Sequence, residues 1–303
     1  MKQWSRIRFL KIFLILISAC ILTFMSYRII HYWYSSESHI IEIDSFKQAT
    51  DILSKADKNT LVLFDVDDTL IVPTSIIFRS TATKNETNAR WLNELFSTVF
   101  KNTKHPVDYY LSIWHSQEEV PLLIEKDIVQ TIASLQNSGI KVLALTAVSP
   151  GSYFTIPSIP KWRFNTLKKL GIDFSKVNFP DIIFDELPQE EGHFPMLYHG
   201  ILCTGPISKG DVLGAFLDRV KWKPAQVIFF DDSMERVNQV ANELKKRKIP
   251  FYGYHYKGAA LLPGELDKEV GSAQLHYLAE HEKWITEIEA RALIAKPILR
   301  IKK

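Results

Sequence analysis

Three apolar segments of strand length each end in polar side chains that can act on a phosphate ester. The segments cover residues 61–64, 142–145 and 227–230. The polar residues at or just beyond their ends are Asp65 with Asp67, Thr146, and Asp231 with Asp232. Because the carboxyl ends of parallel strands meet at one edge of an open α/β sheet, we expect these side chains to lie close together.

The aspartates after the first segment have the spacing needed for covalent phosphoryl transfer. A carboxylate at Asp65 can attack phosphorus and form an aspartyl-phosphate, which divides one difficult step into two easier ones. Asp67 lies two residues further on, on the same side of the chain, so it can protonate the leaving alcohol and later activate the hydrolytic water. We therefore expect Asp65 to be the nucleophile and Asp67 the general acid and base.

Several carboxylates placed close together repel one another and require a hard cation. The expected cofactor is Mg²⁺, which binds one or two carboxylates together with waters and phosphate oxygens. Its expected ligands are Asp65, Asp67, Asp231 and Asp232. Thr146 can donate a hydrogen bond to a phosphoryl oxygen, and Lys209, which opens a helical pattern, adds positive charge for the phosphoryl group and the nucleophile.

Each of these residues also has a simpler interpretation. Thr146 alone can be a strand-end hydroxyl bonded to the backbone, and Lys209 alone can be a surface lysine in a first helical turn. Asp231 and Asp232 can cap a helix, which is compatible with metal binding. Asp68 is expected to be a turn residue. Three further cations can reach an anionic substrate or simply lie on the surface: Arg79, Lys161 and Arg163.

Apolar strands that alternate with amphipathic helices predict an α/β fold with a doubly wound parallel sheet. A short polar linker is expected at residues 35–44, before a single domain that covers residues 35–303. An aromatic-rich helical insertion is expected at about residues 75–120, where the aromatic side chains can form a small core of their own. A helical C-terminal extension is expected at about residues 264–303.

Composition excludes several classes of protein. The chain has 303 residues, of which 46% are hydrophobic and 23% are charged, so it can bury a full core. Its net charge of +3 gives no indication of a nucleic-acid partner. Its two cysteines are Cys20, in an apolar stretch, and Cys203, so no disulfide framework or cysteine-based zinc site is expected.

The N-terminus predicts a contact with a membrane. Four basic residues precede the apolar run at residues 12–25, which reaches spanning length if it is extended to Ile30. We therefore expect residues 1–34 to be an uncleaved transmembrane anchor, with a cleaved signal segment as the alternative. The basic flank predicts that the domain lies outside the cytoplasm, in the periplasm or the extracellular space.

The order of these motifs resembles the haloacid dehalogenase (HAD) superfamily. The resemblance covers Thr60–Lys248 and consists of Asp-x-Asp-x-Thr, a strand ending in Thr, a Lys, and a strand ending in Asp-Asp. It implies a Rossmann-like core, a cap over the site formed by the insertion at about residues 75–120, and a Mg²⁺-dependent phosphatase. For the site it implies the nucleophile Asp65, the acid/base Asp67 with its backbone carbonyl on the metal, phosphoryl ligands Thr146 and Lys209, and metal ligands Asp232 and Asp231. The stretch at residues 274–284 looks like an exported bacterial HAD-like family of unknown function.

The expected activity is hydrolysis of a small phosphorylated substrate through an aspartyl-phosphate, outside the cytoplasm. Phosphoryl transfer to an acceptor other than water is one alternative. A membrane-tethered interaction protein that keeps the fold without catalysis is another. No nucleic-acid partner is expected.

Overall fold

A computed structural model describes residues 38–118 and 120–295 of the chain. Its strands are β1 (Ser38–Ile43), β2 (Thr60–Phe64), β3 (Ile71–Val72), β4 (Leu122–Leu123), β5 (Lys141–Thr146), β6 (Ile182–Ile183), β7 (Met196–Tyr198), β8 (Ile201–Cys203), β9 (Gln226–Asp231) and β10 (Phe251–Tyr256). Its α-helices are α1 (Thr50–Ser54), α2 (Ser80–Thr83), α3 (Glu86–Val99), α4 (Val107–Gln117), α5 (Ile128–Asn137), α6 (Ile159–Lys169), α7 (Lys209–Arg219), α8 (Met234–Lys246), α9 (Lys268–His281) and α10 (Glu287–Ile294). Short 3₁₀ helices cover Phe46–Ala49, Ile76–Phe78, Phe174–Val177 and Gly258–Leu261.

Eight of the strands form one sheet in the order β1-β10-β9-β2-β5-β8-β7-β6. The strands from β1 to β8 in this order are parallel, and β7 and β6 complete the sheet in antiparallel pairs. Strands β3 and β4 make a separate antiparallel pair. The expectation of a mixed α/β fold around a mostly parallel central sheet is confirmed.

The central strand β2 is buried on both faces, which explains why its sequence is apolar without alternation. Val62 and Phe64 belong to a core on one face, with side chains of α5 and α6. Leu61 and Leu63 belong to a core on the other face, with side chains of α7 and α8. Helices therefore cover both faces of the sheet.

Strand register places the ends of three strands side by side. Phe64 at the end of β2 is the partner of Ala144 in β5 and of Phe230 in β9. The Asp65 amide then donates a hydrogen bond to the Phe230 carbonyl at 2.8 Å. The residues that follow β2, β5 and β9 thus emerge at a single edge of the sheet.

Two edge features differ from the expectation. Residues 35–44 were expected to form a linker, but Ser38–Ile43 pairs in parallel with β10 over six residues. This edge strand is mostly exposed, so its sequence lacks the apolar run that identifies a buried strand. Strand β10 itself was not predicted, because its aromatic residues alternate with Gly253 and His255.

The helical insertion packs mainly through its own aromatic residues and those of the C-terminal region. The Phe78 and Trp114 rings stack with centroids 3.7 Å apart, and Trp284 contacts both of them. Trp114 and Trp284 belong to a cluster that also contains Leu275 and Leu278 of α9. The C-terminal helices therefore support the helical insertion.

The predicted transmembrane helix has no counterpart in the part of the chain that the structure describes. No helix within residues 38–118 or 120–295 combines the length and the hydropathy needed to cross a membrane. The predicted anchor at residues 1–34 lies outside the described residues.

Helices α7 and α8 approach closely where Lys209 begins α7. A Cβ atom on Gly210 would lie 2.3 Å from the Gln239 carbonyl oxygen in α8. The Lys209 backbone amide donates a hydrogen bond to the Gln239 side-chain oxygen at 3.0 Å. Because Gly210 has no side chain, α7 can pack closely enough on α8 for Gln239 to hold the Lys209 backbone.

We expect Gly210→Ala to destabilise the protein by about 1–3 kcal/mol, because the added methyl group must push two packed helices apart. Urea unfolding of the full chain measures this change. The control is Asp211→Ala, an exposed position in the same turn of α7, where we expect a change within about 0.5 kcal/mol. Equal midpoints for the two variants would contradict the role of Gly210.

Candidate functional site

A buried lysine lies between two buried aspartates at the carboxyl edge of the sheet. Lys209 Nζ is 2.5 Å from Asp65 Oδ1 and 2.6 Å from Asp231 Oδ2. All three side chains are at most 2% exposed. A cation and its two partners that are removed from water in this way hold each other in a single arrangement.

Thr69 connects the ends of β2 and β9. Its hydroxyl donates a hydrogen bond to Asp65 Oδ2 at 3.3 Å and accepts one from the Asp232 amide at 3.1 Å. The Asp231 Oδ1 atom accepts a hydrogen bond from the Ser233 amide at 2.8 Å. Thr69 was part of the recognised motif but had no assigned role, because its reach to β9 depends on the tertiary fold.

Asp65, Asp231 and Asp232 form a group suited to a metal ion. Each can offer one carboxylate oxygen, and these atoms all lie within 4.8 Å of one another. Burial, followed by the charge of Asp65, raises the pKa of Asp231 to about 6. Burial, followed by the charges of Asp65 and Asp231, raises the pKa of Asp232 to about 7.

The charges and atoms present fit a hard divalent cation. The group holds three carboxylates, and one buried ammonium group, that of Lys209, contacts two of them, so negative charge exceeds positive charge in the group. Carboxylate oxygens are the ligands that Mg²⁺ binds in proteins, and a divalent ion would relieve the repulsion that raises these pKa values. The site therefore suits Mg²⁺ at Asp65, Asp231 and Asp232.

Asp67 lies beside this group and not in it. Its side chain is 53% exposed, and one Arg163 nitrogen, Nη2, donates to both of its oxygens, at 2.7 Å to Oδ1 and 2.9 Å to Oδ2. Arg163 belongs to α6 and is only 5% exposed. The Asp67 side chain is directed to Arg163, and the expected contact of the Asp67 backbone carbonyl with the metal stays a prediction.

Thr146 ends β5 at the same edge of the sheet and is buried. Its backbone carbonyl accepts a hydrogen bond from the Thr204 amide at 3.0 Å. Among the described residues, no side-chain hydrogen bond joins Thr146 to the aspartates or to Lys209. Its phosphoryl-binding role stays a prediction, as does that of Lys209.

The three candidate cations have different positions. Arg79 is buried and donates hydrogen bonds to the carbonyl groups of Pro73, Thr74 and Pro263, so it is a structural residue. Lys161 is exposed near the start of α6. Of these three cations, only Arg163 contacts a predicted site residue, Asp67. Its burial could not be predicted from the sequence, because the helix carries several other cations.

A histidine on β10 contacts the backbone of Asp232, one of the three grouped aspartates. One ring nitrogen of His255, Nε2, lies 3.0 Å from the Asp232 carbonyl oxygen, and the other, Nδ1, lies 3.2 Å from a Glu42 carboxylate oxygen. Glu42 is in β1. The edge strands therefore help to place Asp232, which sequence analysis did not predict because β1 and β10 were missed.

The turn between β2 and β3 shapes the first motif. Asp68 has a positive φ of 58°, in agreement with its expected turn role. Burial raises the pKa of the Asp68 carboxyl group. Asp68 also contributes negative charge that raises the pKa of Asp232.

A cavity of about 590 Å³ opens beside Asp67 and Arg163. Its walls include side chains of the helical insertion, of α6 and of the β3 region. Asp67, the expected general acid and base, therefore lines a cavity large enough for a small molecule.

Comparisons with known proteins place the chain in a family without an assigned activity. The model of the family described as "Protein of unknown function (DUF2608)" matches residues 42–291. An uncharacterized protein of Rickettsia prowazekii is 26% identical over 266 residues, which cover 87% of this chain and 94% of the relative. An uncharacterized protein of Rickettsia typhi is 29% identical over 237 residues, which cover 74% of this chain and 79% of the relative.

A protein of Chlamydia pneumoniae that carries the name "Putative outer membrane protein" is 24% identical over 259 residues, which cover 84% of this chain and 89% of the relative. No solved structure matches the chain. The resemblance to the HAD superfamily is corrected by these comparisons, because the matching family model is a different one. The short motifs that carried the resemblance were too brief to assign the family.

We expect Lys209→Met to destabilise the protein by about 3–5 kcal/mol near neutral pH, because it leaves Asp65 and Asp231 buried without their cation. Urea unfolding measures the change, and circular dichroism confirms that the variant folds. Lys245→Met, at an exposed position of α8, is the matched control and should change stability little. Similar losses for the two variants would show that the buried ion pairs do not stabilise the fold.

We expect Mg²⁺ to stabilise the protein more at about pH 8 than at about pH 5.5. The raised pKa values of Asp231 and Asp232 mean that the folded state binds more protons than the unfolded state between their ordinary values and about 7. Without metal, this contribution to stability falls as pH rises through that window. At the higher pH, Mg²⁺ meets charged carboxylates and has no protons to displace.

Melting temperatures with and without Mg²⁺ at the two pH values test this expectation. Asp232→Asn should remove most of the Mg²⁺-induced increase, whereas Asp211→Asn, at an exposed position of α7, should keep it. An equal Mg²⁺ effect at both pH values, or in both variants, would contradict metal binding by this group.

Proposed function

The chain belongs to the family described as protein of unknown function (DUF2608), and we propose from its site that it hydrolyses phosphomonoesters with Mg²⁺ through an aspartyl-phosphate. One observation carries the proposal: buried Lys209 joins buried Asp65 to buried Asp231, and the partly buried Asp232 lies beside them. A location outside the cytoplasm is part of the same proposal. Its support is the name of the Chlamydia relative.

Asp65 has the position of a nucleophile. Its Oδ1 atom is held by Lys209, and its Oδ2 atom accepts a long hydrogen bond of 3.3 Å from Thr69. The contacts with Lys209 and Thr69 fix the orientation of the carboxylate. Because the contact at Oδ2 is weak, a lone pair of this oxygen is available to attack phosphorus. The new bond is between Oδ2 and phosphorus, and the bond that breaks joins phosphorus to the alcohol oxygen.

Asp67 has the position of the proton carrier. It is half exposed and lines the cavity, and the contact of both its oxygens with Arg163 Nη2 fixes the direction of its carboxylate. In the first step Asp67, which has taken up a proton from solvent, gives this proton to the departing alcohol oxygen. In the second step it takes a proton from the water that attacks phosphorus, which releases phosphate and restores Asp65.

Positive charge stabilises the phosphoryl oxygens during both steps. Lys209 supplies one charge from the chain itself, next to the nucleophile. Asp65, Asp231 and Asp232 would hold Mg²⁺, which when bound neutralises charge on the phosphoryl oxygens. Thr146, at the end of β5, is the proposed hydrogen-bond donor to the same oxygens.

The helical insertion is proposed to act as a cap over the reacting group. Trp114, His115 and Glu118 of this insertion line the cavity that also contains Asp67. A wall of this kind excludes water from the leaving-group side, so that water reaches phosphorus only after the alcohol has left.

We expect the purified full chain to release phosphate from para-nitrophenyl phosphate in the presence of Mg²⁺, and a chelator to stop the reaction. Asp65→Asn should lower kcat by about 10³-fold or more, because the amide cannot form the phosphoryl bond. Asp211→Asn is the control with an exposed carboxylate on α7. Melting temperatures with Mg²⁺ show whether each variant folds.

Acid quenching during turnover should leave phosphate on the peptide that contains Asp65, as measured by mass spectrometry. Added alcohol acceptors distinguish transfer from hydrolysis, because a phosphotransferase would form the phosphorylated alcohol faster than free phosphate. If the wild-type protein released no phosphate from a panel of phosphomonoesters, the proposal would be wrong and the non-catalytic alternative would stand.

A further inference from the structure

The cavity beside Asp67 has two aromatic side chains that meet at nearly right angles. His115 of α4 and Trp162 of α6 have ring centroids 5.4 Å apart with an angle of 78° between their planes. Both residues line the cavity of about 590 Å³. Two flat surfaces in this arrangement can hold one planar ring, with its face on one of them and its edge against the other.

The His115 ring acts in this cavity as a neutral aromatic surface. Burial, followed by the nearby charge of Arg163, lowers the pKa of His115 to about 4. At neutral pH the ring therefore carries no charge that would attract a second phosphate group. Its ring also contacts Trp114, with centroids 4.1 Å apart, so its position is supported by the core of the helical insertion.

The remaining apolar wall comes from the β3 region and the loop before β4. Ile71, Val72 and Pro73 line one side, and Val120 with Pro121 completes it. Polar side chains, among them Glu118, Asn165 and Lys169, line the rest of the cavity, so the apolar and aromatic surface forms one part of its wall. An apolar surface with polar groups beside it is typical of a site for a flat organic ligand.

The cavity reaches Asp67, the proposed proton carrier. Asp67 lines it and is held there by Arg163, which is buried next to Trp162 in α6. The Arg163 guanidinium carbon lies 4.8 Å from the centre of the Trp162 ring. A leaving-group oxygen within reach of Asp67 therefore directs the rest of the alcohol into this cavity.

We propose that the cavity binds the leaving group of the substrate and that this group carries a planar aromatic ring, which packs against Trp162 and His115. The proposal rests on the phosphatase activity proposed above. Trp162 is then a specificity-determining residue, and the substrate class is the phosphomonoester of an alcohol with an aromatic ring.

The test compares benzyl phosphate with cyclohexylmethyl phosphate, because these esters have alcohols of similar size and acidity but differ in ring planarity. The ratio of their kcat/KM values is measured for the full chain with Mg²⁺. We expect the wild type to prefer benzyl phosphate, and Trp162→Leu to lower the ratio about fivefold, mainly through KM. Trp162→Phe keeps a flat ring and should keep most of the preference.

Trp222→Leu is the matched control. Trp222 is also half-buried and also lies near a cation, with Lys141 Nζ 4.7 Å from its ring centre, but Lys141 begins β5 at the opposite edge of the sheet. The control should lose stability without a change in the ratio. If Trp162→Leu does not fold, as shown by its melting curve, His115→Leu provides the same test from the facing wall.

Three results are distinguishable. A ratio that falls in Trp162→Leu and not in Trp222→Leu supports the proposal. Hydrolysis of both esters with a ratio that neither Trp162→Leu nor His115→Leu changes overturns it and leaves the phosphatase activity intact. Absence of hydrolysis in the wild type overturns the proposed function together with this inference.

Discussion

The buried ion pairs of Lys209 with Asp65 and Asp231 determine the geometry on which the rest of the site depends. The pairs join the ends of β2 and β9 to the first turn of α7, three elements that are distant in sequence. Removal of these charges from water is unfavourable unless every partner is in place, so the arrangement favours one conformation over alternatives. The close contact of α7 with α8 at Gly210 then leaves Lys209 little freedom to move away.

The site combines a rigid part with a more open part. Asp65, Lys209 and Asp231 are almost completely buried, whereas Asp67 is half exposed and faces the cavity. This division matches what phosphoryl transfer requires. A nucleophile must be held still, while a proton carrier must contact both a departing alcohol and an incoming water. Arg163 is as buried as the first group and holds Asp67, the exposed residue of the second.

Sequence alone predicted the features that depend on local pattern. The apolar runs of β2, β5 and β9 could be recognised because strands buried on both faces have no polar alternation. Asp65, Asp231 and Asp232 followed from their positions at the ends of such strands. The edge strand β1 was missed because its exposed residues carry no such pattern. The contacts of His255 with Asp232 and Glu42 were missed for the same reason. The contact of Arg163 with Asp67 joins residues 96 positions apart, which no local pattern encodes.

The edge strand β1 affects the site as well as the sheet, because Glu42 in β1 contacts His255. An edge strand presents unpaired backbone groups, and a foreign strand can displace it and extend the sheet. Here such an exchange would also remove Glu42 from His255, and His255 lies against the Asp232 carbonyl. Edge-to-edge association that replaces β1 would therefore disturb the carboxylate group as well as the sheet, so loss of cation affinity would be an early sign of self-assembly through this edge.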